Sequence, residues 1–71
     1  MAHAVKALLR LPEVIQRTGL SRSEVYRREA LGEFPARIRL GRRTVAWPSD
    51  HIQSWIEARI RESRVLRVSN V

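Results

Sequence analysis

A chain of 71 residues has room for one domain with a small core. Its 14 lysines and arginines against 7 acids leave a formal net charge of +7, and every cation except Lys6 is an arginine. Arginine's planar fork pairs bidentately with phosphates and guanine edges, so the balance points to nucleic acid, although a GC-rich genome enriches arginine too. The lack of cysteine excludes disulfides and thiolate metal sites, and no apolar run approaches membrane-spanning length.

Residues 1–7 carry little pattern and are expected to be a flexible tail. Lys6 interrupts the short AHAVKALL opening, which argues against a signal peptide and for a cytoplasmic, nucleoid-associated protein. Leu8 and Leu9 anchor the entry to the first helix, with a short strand as one way of doing so. Leu11, Val14, Ile15 and Thr18 then recur at i, i+3, i+4 and i+7, one stripe of a helix that Pro12 starts well. Gly19 is the residue to end it, because it adopts the left-handed conformation without a Cβ penalty. Ser21 is a natural N-cap for a second helix, and Glu24, three residues on, completes a capping box. Two helices joined at a glycine form a helix-turn-helix, whose second helix commonly enters the DNA major groove. Ser21, Arg22, Ser23, Tyr26 and Arg27 lie in its first two turns, where a recognition helix needs donors for bases and phosphates.

Gly32 is placed to end the second helix, and Phe34-Pro35 sets a buried aromatic before a stiff turn. The period then changes from helical to alternating. Ile38 and Leu40 point one way and Arg37 and Arg39 the other, Gly41 to Thr44 make a turn, and Val45 and Trp47 return on the apolar face. The expected element is a two-stranded hairpin, or wing. Arg37, Arg39, Arg42 and Arg43 give residues 36–47 a charge of +4 with no acid, whereas residues 21–35 sum to zero. If phosphate attraction drives affinity, the wing contributes more of it than the second helix. Pro48 ends the hairpin, Ser49 caps a third helix with Asp50 in its first turn, and Ile52, Trp55, Ile56 and Ile60 form its apolar stripe. Both tryptophans fall on inward faces and are assigned to the core rather than to base stacking. The tail at 63–71 is expected to be flexible, with helix extension and strand addition as alternatives. The domain is thus drawn at 8–62.

Taken together, LPEVIQRTGLSRSEVYR, GEFPARIRLGRRTVAW and SDHIQSWIEARI resemble the AlpA family of phage and prophage regulators. The resemblance runs from Leu9 to about Ile60. Its most specific pieces are TGLSRS-x-x-YR, G-x-FP and LG-x-R-x-x-W. That family is similar to the MerR and excisionase winged-helix folds, so the resemblance implies a small DNA-binding regulator. Ser21, Arg22, Ser23, Tyr26 and Arg27 match its recognition face, Arg42 and Arg43 its basic wing, and Trp47 and Trp55 its core. The chain departs from it with Arg28 and Glu29, where apolar residues are common, and with Glu33, where a basic residue is frequent.

The expected fold is therefore α+β, mostly α: a small winged helix-turn-helix with a two-stranded wing and a C-terminal helix. The expected partner is double-stranded DNA, together with a second copy on DNA or an integrase. A membrane, a small-molecule substrate, a metal and an organic cofactor are not expected. His3 and His51 have no ligand partner at metal-site spacing and read as surface residues, and no spacing supports a catalytic constellation. Transcription regulation and an excisionase-like role alongside an integrase need the same DNA-binding surface and stay open together. A protein-interaction adaptor for a recombinase or polymerase is the rival from another class.

Overall fold

The computed structural model describes residues 7–69, with side chains through Val65. In chain order the elements are β1 (Leu8–Leu9), α1 (Leu11–Thr18), α2 (Arg22–Ala30), β2 (Ile38–Arg39), β3 (Val45–Pro48) and α3 (Ser49–Ser69). The result is a mostly helical α+β fold of winged-helix type, with one antiparallel sheet in the order β1-β3-β2. The hairpin gains a third strand because Leu8 and Leu9 pair with Pro48 and Trp47 on the far side of β3. Two adjacent leucines are too short a run to show any period, which is why the strand was only one option for them.

The core forms where the helical stripes meet the central strand. Leu9, Val14, Val25, Trp47 and Ile52, one from every element except β2, are buried together with Phe34 from the connection after α2, and Leu11, Ile15, Leu20, Tyr26, Trp55 and Ile56 pack around them. Trp47 is fully enclosed, and its indole N–H donates to the Pro35 carbonyl at 3.0 Å, so burial leaves its polar atom satisfied. Trp55 is only half-buried. It stands edge-on to Phe34 at 5.0 Å between ring centres and donates to the Glu33 carbonyl at 2.9 Å, closing the rim of the core rather than filling it.

Both α1 and α2 end at a glycine, as expected. Gly19 has φ of 76° and donates to Ile15 O at 2.8 Å, which ends α1. Gly32 has φ of 75° and follows the last turn of α2, where Gly32 and Glu33 donate to the carbonyls of Glu29 and Arg28.

Four local expectations are corrected. Ser49 was read as the cap of α3, but its hydroxyl accepts from Ala7 N–H at 2.9 Å while its own N–H donates to Ala7 O at 2.7 Å. That exchange ties down Ala7, which had been placed in the flexible tail; the remainder of that expectation, for residues 1–6, lies outside the described residues. The apolar stripe of α3 fades earlier than drawn, because Ile52 is buried whereas Ile60 is exposed. The backbone nevertheless stays helical through 63–69, the extension that had been one of three options for the tail; residues 70 and 71 lie outside the described residues.

The fourth correction concerns the phase of the wing. Ile38 pairs with Ala46 and Arg39 with Val45, and residues opposite each other project from the same face of a sheet. Ile38 and Leu40 therefore share the face of Ala46, not that of Trp47, and remain 41% and 49% exposed. Alternation was legible within each strand. The relative phase of the two strands depends on the loop, where the N–H groups of both Leu40 and Gly41 donate to Thr44 O.

Candidate nucleic-acid interface

The second helix is oriented by one buried residue and one cap. Val25 is fully enclosed by the core, which turns Arg22, Ser23 and Arg27 outward, all of them exposed. Ser21 sits in extended backbone at φ −78° and ψ 167°, and its Oγ accepts from Glu24 N–H at 3.1 Å. The other arm of the expected capping box goes elsewhere. Glu24 Oε1 accepts from Arg27 Nη2 at 2.8 Å and from Arg28 Nε at 2.9 Å. These hydrogen bonds, that of Arg28 first and that of Arg27 second, hold the Glu24 carboxyl below the usual glutamate range.

Tyr26 joins α2 to the wing. Its ring lies 6.3 Å from that of Trp47, with the Arg22 guanidinium 5.9 Å from the ring centre and the Arg37 guanidinium 5.1 Å from it. A tyrosine face attracts such cations, so the ring draws the two arginines toward one spot although they are 15 positions apart in sequence. Arg37 is further held by Glu29, which accepts from its backbone N–H at 2.6 Å and from its guanidinium. This is consistent with the corrected phase, since Arg37 and Arg39 alternate with Ile38 and share the face of Val45.

The wing tip is shaped by Arg39, whose Nε donates to Gly41 O at 3.2 Å and whose Nη2 donates to Arg42 O at 3.3 Å. Arg42 and Arg43 lie beyond it, both exposed. Among the described residues no carboxylate pairs with Arg22, Arg42 or Arg43. The nine residues singled out in the sequence thus divide. Ser21, Arg22, Ser23, Tyr26 and Arg27 form one continuous helical surface, and Arg42 and Arg43 form the tip. Arg37 and Arg39 direct their guanidiniums at groups of the protein itself, as Arg27 does at Glu24.

Glu29 is the residue that sequence reasoning missed. Its partner is eight positions away across the Phe34-Pro35 turn, and segment-by-segment charge sums placed the two in different columns. The one available signal was a glutamate in the last turn of a helix, where a negative charge is disfavoured by the helix dipole unless something pairs with it. Among the described residues no helix is long and apolar enough to cross a membrane.

A family model described as the prophage CP4-57 regulatory protein (AlpA) matches residues 7–60. This chain belongs to the AlpA family. Among curated relatives, it is 44% identical to the uncharacterized protein ORF88 of Enterobacteria phage P4, over 73% of this chain and 59% of that protein. It is 37% identical to the DNA-binding transcriptional activator AlpA of Escherichia coli (strain K12), over 73% of this chain and 83% of that protein. The chain thus spans less than two thirds of the phage P4 protein. No solved structure matches it. The match begins at Ala7, the residue clasped by Ser49, and ends at Ile60, where α3 leaves the core.

Proposed function

We propose that this chain is a sequence-specific regulator that binds double-stranded DNA in the cytoplasm and controls transcription of phage or prophage genes. The observation that carries the reading is the pair of exposed arginine surfaces, Arg22 on α2 and Arg42 with Arg43 on the wing, held in fixed relation by Tyr26 and Trp47. In this reading α2 enters the major groove. Arg22 and Arg27 address base edges, Ser21, Ser23 and Tyr26 address bases or phosphates, and Arg42 and Arg43 meet flanking phosphates or the narrow minor groove. Arg37 and Arg39 contribute by shaping the wing. The likeness to a DNA-binding transcriptional activator, at 37% identity, supports the assignment.

The test begins by selecting duplexes from a randomised pool, then titrating the selected site and a scrambled one at several salt concentrations. Binding to both should fall steeply with salt. Arg22→Ala or Arg27→Ala should cost about 1–3 kcal/mol on the selected site and much less on the scrambled one. Failure of the native chain to bind any duplex in a salt-dependent way would sink the reading in favour of a protein adaptor.

A further inference from the structure

Glu29 is an acid in a place where a basic protein would gain nothing from one if charge alone mattered. Its side chain is 13% exposed, against 44% for Arg37, so the carboxylate is the fixed partner and the guanidinium is the one facing solvent. It makes two contacts to the same residue, one to the backbone N–H of Arg37 at 2.6 Å and one to the guanidinium. The first pins the start of the wing to the end of α2. The second gives Arg37 the hydrogen-bonding anion that a DNA phosphate would otherwise be. The same guanidinium also lies over the Tyr26 ring, 5.1 Å from its centre.

We infer that Glu29 is a specificity-determining residue, a built-in carboxylate that withholds Arg37 from the phosphate backbone and sets the angle between wing and recognition helix. The inference rests on the DNA-binding reading above. An unpaired Arg37 would add a phosphate contact on any sequence, raising affinity for random DNA without adding information. The loosened wing would at the same time fit the true site less well. Glu29 thereby trades general affinity for discrimination. Arg39, which donates to carbonyls at the tip, has no carboxylate of this kind among the described residues.

The experiment compares the native chain with Glu29→Gln, which keeps an acceptor for the Arg37 N–H but removes the charge. Each is titrated with the selected duplex and with random duplex across a salt series, after circular dichroism confirms the fold. Glu29→Gln should bind random duplex more tightly and its log K against log salt should steepen by about 0.9 units, while Glu29→Ala, which also removes the acceptor for the Arg37 N–H, should in addition lose several-fold of its preference for the selected site. An unchanged slope in Glu29→Gln or an unchanged preference in Glu29→Ala would overturn the inference. Arg37→Gln gives an independent measurement should Glu29→Gln not fold. Its slope on random duplex should stay at the native value, because Arg37 is already withheld, and a decrease of about 0.9 units would mean that Arg37 meets phosphate despite Glu29. A native chain without salt-dependent duplex binding sinks the DNA-binding reading itself, whereas a native chain that binds while Glu29→Gln changes nothing sinks this inference alone.

Discussion

The second helix and the wing carry their arginines in opposite ways. On α2, Glu24 gathers Arg27 and Arg28 into one network, and only Arg22 extends outward without a carboxylate among the described residues. On the wing, Arg37 is taken by Glu29 and Arg39 by carbonyls of the tip, which leaves Arg42 and Arg43 at the outermost point. The formal difference of four charges between the segments therefore shrinks to two unpaired guanidiniums against one. The larger difference is one of rigidity. Side chains on α2 are held by cap, core and ion pairs, which suits hydrogen bonding to a defined base edge, while the tip offers two long side chains whose attraction is mainly electrostatic.

The severest way to break the comparison is to remove what joins the two regions. Trp47 is fully enclosed in β3, donates to Pro35 O and lies against Tyr26. Trp47→Ala should cost about 3–5 kcal/mol, enough to unfold so small a domain, with thermal denaturation as the measurement. Trp55→Ala should cost less, because that ring is only half-buried; an equal cost for the two would place Trp55 deeper than its exposure implies. The next effect separates the regions. Replacing Arg42 and Arg43 together by alanine should flatten the salt dependence by about 1–2 units and weaken selected and scrambled duplex in similar proportion. If sequence preference falls instead, the wing is the reader and α2 the anchor.

Local chemistry was the legible part of this fold. Gly19, Ser21, Gly32 and the apolar stripe of α1 act through neighbours within four or five positions, and each does what its residue type dictates. What escaped reading depends on distant partners. Ser49 was a cap by sequence until Ala7, 42 positions earlier, took its hydroxyl. Ile38 and Leu40 looked inward until the Leu40–Thr44 hydrogen bond set the phase of the hairpin. In the candidate site, the exposed face of α2 was visible because helical spacing fixes which residues share a surface. The loss of Arg37 to Glu29 was invisible, because residue counts record charge but not pairing.

The cap offers a smaller test of the rigidity assigned to α2. Ser21 makes one arm of the capping box, to Glu24 N–H, so Ser21→Ala should lower stability by about 1 kcal/mol and shift the thermal midpoint accordingly. Duplex binding should weaken with it, since the first turn carries Arg22 and Ser23. An unchanged midpoint would mean that α2 is held by Val25 and the core alone.

The smallest effect is also the one that distinguishes the two regions by pH. Hydrogen bonds from Arg28 and then Arg27 lower the Glu24 carboxyl below the usual glutamate range, so the folded chain holds that proton less tightly than the unfolded chain does. The network therefore stabilises fully above the unfolded glutamate value, loses its contribution as pH falls through the depressed folded value, and adds nothing below it. Native protein and Glu24→Gln should differ in thermal midpoint near neutrality, and the gap should close on acidification through that window. Both sides of the pair meet solvent, so the gap should be small and should shrink in about 1 M salt, where the Debye length is about 3 Å. The wing tip has no carboxylate beside Arg42 or Arg43 among the described residues, so the midpoint difference between native protein and the Arg42/Arg43 double variant should stay flat over the same pH range. A gap for Glu24→Gln that persists in acid would mean the glutamate acts on α2 through helix propensity and packing rather than charge. The rigidity of α2 would then owe nothing to its arginines, and the contrast with the wing would rest on the Ser21 cap and Val25 alone.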